Sequence, residues 1–127
     1  MKQILLVALG GAIGSVARFK MSGLVLHVNP NWRFPAGTLA VNLIGCLIAG
    51  LLAGMAVKQD VFTPDARLFL FTGLLGGFTT FSAFGLETLL LLKRGETTVA
   101  VANVVVSVFV GLLVAWLGYE LSARSPV

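Results

Sequence analysis

Four long apolar runs, Ile4 to Leu26, Phe34 to Val57, Leu68 to Leu92 and Val99 to Leu121, alternate with short polar links along the whole chain. Each exceeds the ~20 residues that carry an α-helix across ~30 Å of hydrocarbon at ~1.5 Å per residue. Lipid offers the backbone no hydrogen-bond partners, so runs of this length satisfy their own peptide groups by coiling. The pattern therefore predicts an all-α integral membrane protein, a single domain over residues 1–127 with four transmembrane helices. Composition strengthens the reading: 57% of the residues are hydrophobic and 11% charged, whereas a soluble domain has about a quarter of its residues charged. Lys2 ahead of an apolar run imitates a signal peptide, but the run is too long for one and three further spans follow it.

The third run departs from a plain hydrophobic helix. Its middle reads Gly73-Leu74-Leu75-Gly76-Gly77-Phe78-Thr79-Thr80-Phe81-Ser82-Ala83-Phe84-Gly85-Leu86-Glu87. Adjacent glycines lower helix propensity by roughly 1 kcal/mol each relative to alanine, and the hydroxyls of Thr79, Thr80 and Ser82 compete for backbone hydrogen bonds. A helix break near residues 76–81 is the expectation. Broken backbone at membrane depth survives only where protein, a water-filled cavity or an ion satisfies it, which would mark a transport site. Glycines and hydroxyls also serve close helix packing, and residue types alone leave both readings open.

The remaining polar residues in the spans are few enough to weigh singly. Gly10, Gly11 and Gly14 give the first span a small-residue face. Arg18 lies about 21 Å along that helix from Ile4, and a charge there implies a watery vestibule or a carboxylate partner; Lys20 has the length to snorkel. The link that follows carries Pro30, Trp32, Arg33 and Pro35, an aqueous turn with an interfacial aromatic anchor. The second span holds Thr38 and Asn42, whose amide must find partners in hydrocarbon, and a Gly50/Gly54 pair. Glu87 lies about 9 Å inside Lys93, and Asn103 and Ser107, four apart, share a helix face as a polar track. His27 has no second ligand at usable spacing, and the single Cys46, inside a span, acts as a small hydrophobe. There is no P-loop, His/Cys cluster or Ser-His-Asp set, so neither an enzyme nor a nucleotide site is expected. The pI of 9.9 reflects scattered cations suited to anionic lipid, with no nucleic-acid patch.

Charge fails to choose an orientation. Lys2, Lys58, Arg67 and Arg124 fall on one side, and Arg33, Lys93 and Arg94 on the other, joined there by Arg18 and Lys20 if these count. The positive-inside rule needs an imbalance. Its absence points to insertion in both orientations and an antiparallel, dual-topology homodimer with an in-plane two-fold axis.

Three stretches in chain order, Gly10-Gly11-Ala12-Ile13-Gly14-Ser15-Val16-Ala17-Arg18, Gly37-Thr38-Leu39-Ala40-Val41-Asn42 and Gly76-Gly77-Phe78-Thr79-Thr80-Phe81-Ser82-Ala83-Phe84, resemble the Fluc (CrcB-type) fluoride channels. The resemblance spans the whole chain. It implies a dual-topology antiparallel homodimer in the bacterial inner membrane, with two parallel fluoride pores and a structural sodium ion (Na+) at the dimer centre. It implies that the carbonyls of Gly76 and Thr79 hold that sodium, and that Phe81, Phe84, Asn42, Asn103, Ser107, Ser82 and Thr80 line the pores. Arg18, Glu87 and Thr38 would sit at vestibules or structural contacts. Ala83 departs from the family pattern, where a hydroxyl is expected. The implied activity is passive export of cytoplasmic fluoride. Two other readings compete with it. One is a proton-coupled exporter of the small multidrug-resistance type, which would have to use Glu87 because the first span has no carboxylate. The other is a non-transporting membrane assembly subunit.

Overall fold

A computed structural model describes residues 1–28, 33–59 and 61–124, with the side chains of Lys58 and Gln59 left aside. The Pro30 and Trp32 part of the first link lies outside the described residues. Helix α1 is Lys2–Val28 and α2 is Ala36–Gln59. The third span comes in two pieces. Residues 64–78 form α3, built from the turn Pro64–Arg67, the π-helical stretch Leu68–Leu75 and the closing turn Gly76–Phe78, and Phe81–Lys93 forms α4. The fourth span, Thr97–Arg124, is α5, with π-helical winding over Val106–Val110. All four spans are long and apolar enough to cross a membrane.

Short polar signals set the ends. Thr63 caps α3 by accepting from Ala66 N–H at 3.2 Å, and Pro64 occupies a first-turn position that needs no donor. Gly95 closes α4 with φ 77°, a left-handed conformation in which Glu96 N–H reaches back to Leu91 O at 2.9 Å and Gly95 N–H to Leu92 O at 3.0 Å. Lys2 pairs with Asp65, so the N-terminus and the link between α2 and α3 lie at one end of the bundle.

The two halves of the third span lean on different neighbours. α3 packs along α1, whereas α4 packs on the Thr97–Val105 part of α5; α2 lies mainly against the Gly111–Arg124 part of α5. Both main seams are backbone to backbone. A Cβ on Gly77 would lie 2.9 Å from Gly11 Cα, one on Gly14 would run into Leu74 O, and one on Gly50 would run into Ala115 O. In lipid, where tails are as apolar as leucine, this closeness supplies the dispersion contact that holds helices together. The fully enclosed residues are few, Val41, Ala100 and Asn103 among them.

Gly77→Ala should therefore wedge α1 from α3, because the atoms in the way are backbone. We expect loss of monodisperse protein in detergent, or destabilisation at the upper end of the ~1–3 kcal/mol usual for overpacking. Gly11→Ala, whose Cβ would meet only Gly73 O at 3.9 Å, should leave elution and thermal unfolding unchanged.

Candidate functional site

The helical ladder of α3 ends at Thr79, whose N–H donates to Leu75 O at 2.9 Å. Thr79 and Thr80 then take up extended backbone, with φ −84°, ψ 157° and φ −150°, ψ 112°. The glycines are not where the helix breaks: Gly76 is helical at φ −63°, ψ −35°, and Gly77 serves the seam with α1. The two threonines, adjacent in sequence, make the break.

Extended peptide groups inside hydrocarbon need partners, and α2 provides them. Asn42 Nδ2 donates to Thr80 O at 3.1 Å, while Thr80 N–H donates to Asn42 Oδ1 at 2.8 Å. A single carboxamide thus takes the place of a strand neighbour. The threonine hydroxyls complete the junction, Thr79 Oγ1 donating to Leu75 O at 2.9 Å and Thr80 Oγ1 accepting from Ala83 N–H at 3.2 Å as the cap of α4. Gly45, one turn beyond Asn42, makes room for the Thr79 methyl, which a Cβ would strike. Because Thr80 N–H turns to Asn42, the carbonyl of Gly76 four residues earlier loses its helical donor, and Gly76 is exposed on the outer face of the chain.

Two cavities flank the break. One of about 420 Å³ is bordered by Ser15, Arg18 and Ser22 of α1, Thr38 of α2, and Thr80, Ala83 and Glu87. The other, of about 370 Å³, is bordered by Asn42 and Cys46 of α2, Thr79, Thr80, Phe81, Phe84 and Ser107. Thr80 borders both. The Phe81 and Phe84 rings have centroids 5.5 Å apart and planes inclined at 45°. Larger grooves of about 550 and 580 Å³ lie away from the break and are lined mainly by apolar side chains.

Most of the residues singled out in the sequence converge here, with differences in role. Arg18, Glu87 and Thr38 share the first cavity. The Glu87 carboxylate is met by Thr38 Oγ1 at 2.6 Å, with no ion pair to Arg18, and its Oε2 is buried without a partner. Asn42 spends both ends of its amide on Thr80. Ser82 is exposed, 3.3 Å from Thr80 Oγ1, and borders neither cavity. Asn103 is 1% exposed and donates to Thr88 Oγ1 at 2.9 Å, while Ser107, four residues on, borders the aromatic cavity. Ser107 lies in the π-helical stretch Val106–Val110, just past the α-helical winding Thr97–Val105 that carries Asn103. Lys20 is exposed on α1. Sequence reasoning missed Ser15 and Ser22, although with Arg18 they sit at i, i+3 and i+7, one face of a helix. It also missed Thr88, the acceptor that a buried Asn103 requires.

Four spans, the third broken with its backbone capped by a neighbouring helix and flanked by two open cavities, define a polytopic helical membrane protein. The family described as CrcB-like protein, Camphor Resistance (CrcB), matches residues 5–119. A protein of Methylobacillus flagellatus named fluoride-specific ion channel FluC is 61% identical over 121 residues, covering 95% of this chain and 94% of its own. Proteins of the same name from Opitutus terrae and Flavobacterium psychrophilum are 46% and 42% identical, covering 94% and 93% of this chain and 91% and 94% of their own. The chain belongs to the CrcB-like family.

Asn42→Ala should strand both the N–H and the C=O of Thr80. At about 1–3 kcal/mol for each unmet buried group, the loss should lower the thermal midpoint clearly and speed amide exchange at Thr80 more than elsewhere in α4. Unchanged exchange at Thr80 would mean the clamp is not what holds the break.

Proposed function

We propose that this protein is a fluoride-selective passive channel, multi-pass in the bacterial inner membrane, releasing cytoplasmic fluoride down its gradient, and that it is a conduit with no catalytic step. One observation carries the reading: Thr80, at the break, borders both the Arg18 cavity and the Phe81/Phe84 cavity. The Arg18 guanidinium attracts an anion to the first cavity, and the hydroxyls of Ser15, Ser22 and Thr80 replace part of its water. Thr38 donates to the Glu87 carboxylate, which tempers the negative charge there. Beyond Thr80, the rings of Phe81 and Phe84 offer partially positive edges, and Ser107 offers a hydroxyl. Past Arg18 the contacts are neutral hydroxyls and ring edges, each weak enough to let the ion go, which conduction requires. The names of the 61% and 46% identical relatives agree with this reading.

The functional unit in this reading is an antiparallel homodimer with dual topology and two pores. Three features support it. Cations are nearly balanced between the two sides of the bundle, Phe81 is 83% exposed although it belongs to the proposed pore, and a long apolar face of α1 is uncovered. A structural sodium ion at the two-fold axis fits the oxygens present: the Gly76 carbonyl lacks its helical donor, Thr79 turns to extended backbone while Ala83 N–H goes to Thr80 Oγ1 and not to the Thr79 carbonyl, and uncharged oxygens suit a hard monovalent cation. When bound, the ion supplies fixed positive charge that satisfies those carbonyls.

Fluoride release from liposomes containing the purified protein, read with an ion-selective electrode, tests the channel. Rapid fluoride release without chloride is expected, slowed at least about tenfold by Phe81→Ile, the ratio that ~1.4 kcal/mol on a barrier produces. No release from folded protein would overturn the proposal. Accessibility of a single introduced cysteine at the Gly95 turn tests topology: labelling of about half the molecules from each face is expected, and labelling from one face alone excludes dual insertion.

A further inference from the structure

We infer that Thr88, held by Asn103, is a positioning residue that sets the pose of the Phe84 ring, an inference that rests on the channel reading of the aromatic pair. The side chains form a short hydrogen-bonded chain: Asn103 Nδ2 donates to Thr88 Oγ1 at 2.9 Å, and Thr88 Oγ1 donates to Phe84 O at 2.8 Å. Its start is one of the most enclosed side chains in the protein, at 1% exposure, and its end is the backbone of the residue that carries one of the two rings. The two bonds share the Thr88 hydroxyl, which accepts one and donates the other, so each polarises the next.

The geometry does more than satisfy a buried amide. A threonine hydroxyl bonded to the carbonyl four residues back competes with the helical ladder and bends the turn it grips. That turn spans Phe84 to Thr88, and the bond from α5 fixes which way the hydroxyl points. The two rings are therefore held differently. Phe84 is half-buried on a turn anchored to α5, whereas Phe81 is 83% exposed. The 5.5 Å separation and 45° tilt of the pair thus depend on a hydroxyl that borders neither cavity. The contact also joins α4 to α5 in the stretch where these helices pack, so the Ser107 wall of the aromatic cavity and the Phe84 wall share one brace.

The test uses the full chain with 4-fluorophenylalanine at position 84, followed by ¹⁹F NMR in detergent and by fluoride release in liposomes. The variants are Thr88→Val, Thr88→Ser, Asn103→Leu and the Thr88→Val/Asn103→Leu pair. Thr88→Val keeps the shape and removes the hydroxyl. It should move or split the ¹⁹F line and slow release roughly fivefold to tenfold, the ratio one ordinary hydrogen bond is worth. Thr88→Ser should restore both readouts to within about twofold of the parent, Asn103→Leu should act in the same direction as Thr88→Val, and the pair should be no worse than Thr88→Val alone. An unmoved line in Thr88→Val, a moved line with parental release, a serine variant that behaves like valine, or additive effects in the pair would each overturn the inference. If Thr88→Val does not fold, the ¹⁹F line and release rate of Asn103→Leu against Thr88→Ser decide it. Absence of release from the parent would count against the channel reading alone, while the ¹⁹F line would still decide whether Thr88 positions the ring.

Discussion

The amide of Asn42 on the backbone of Thr80 is the interaction on which the rest of this structure depends. A membrane span can leave helical geometry only if water, an ion or other protein groups satisfy the freed peptide groups. Here a side chain from another span does it, in two bonds with one residue. The arrangement costs the protein little conformational freedom, since a carboxamide is planar and short. It also permits what a continuous helix would forbid: a residue that borders both flanking cavities while its main chain is fixed.

The break divides more than a helix. α3 belongs to a seam with α1 made of glycines against backbone, and α4 belongs to a contact with α5 that carries the Asn103–Thr88 hydrogen bond. Close-packed backbone gives rigidity through dispersion, and hydrogen bonds give direction. The aromatic pair lies on the directional side, where orientation matters for an anion meeting ring edges. The cavity that holds Arg18 lies between the two sides, with Arg18, Ser15 and Ser22 on a face of α1 and Ala83 and Glu87 on α4.

Much of the fold is plain in the sequence because hydrocarbon leaves a run of apolar residues one local option. The four spans and the interruption of the third follow from that. The cause of the interruption was not legible. Gly76-Gly77 and Thr79-Thr80 both weaken a helix, and only the close approach of Gly77 to Gly11 shows that Gly77 serves packing while the helix runs on through both glycines. Asn42 was marked by its residue type, yet its partner is backbone, which carries no signature in the sequence. Asn103 and Ser107 look like one stripe because α-helical spacing says so. Their neighbours differ all the same, Thr88 for Asn103 and the aromatic cavity for Ser107, and neither neighbour is written in the spacing of the fourth span.

The order of these elements along the chain has its own consequence for biosynthesis. Helices leave the ribosome and enter the bilayer from the N-terminus onward, so α2 is already in place when Thr79 and Thr80 arrive. The cap is thus present before the gap it closes. A chain with the same contacts but Asn42 placed after the break would hold two open peptide groups in lipid until its last helix emerged, and would be exposed to quality-control proteolysis throughout that wait.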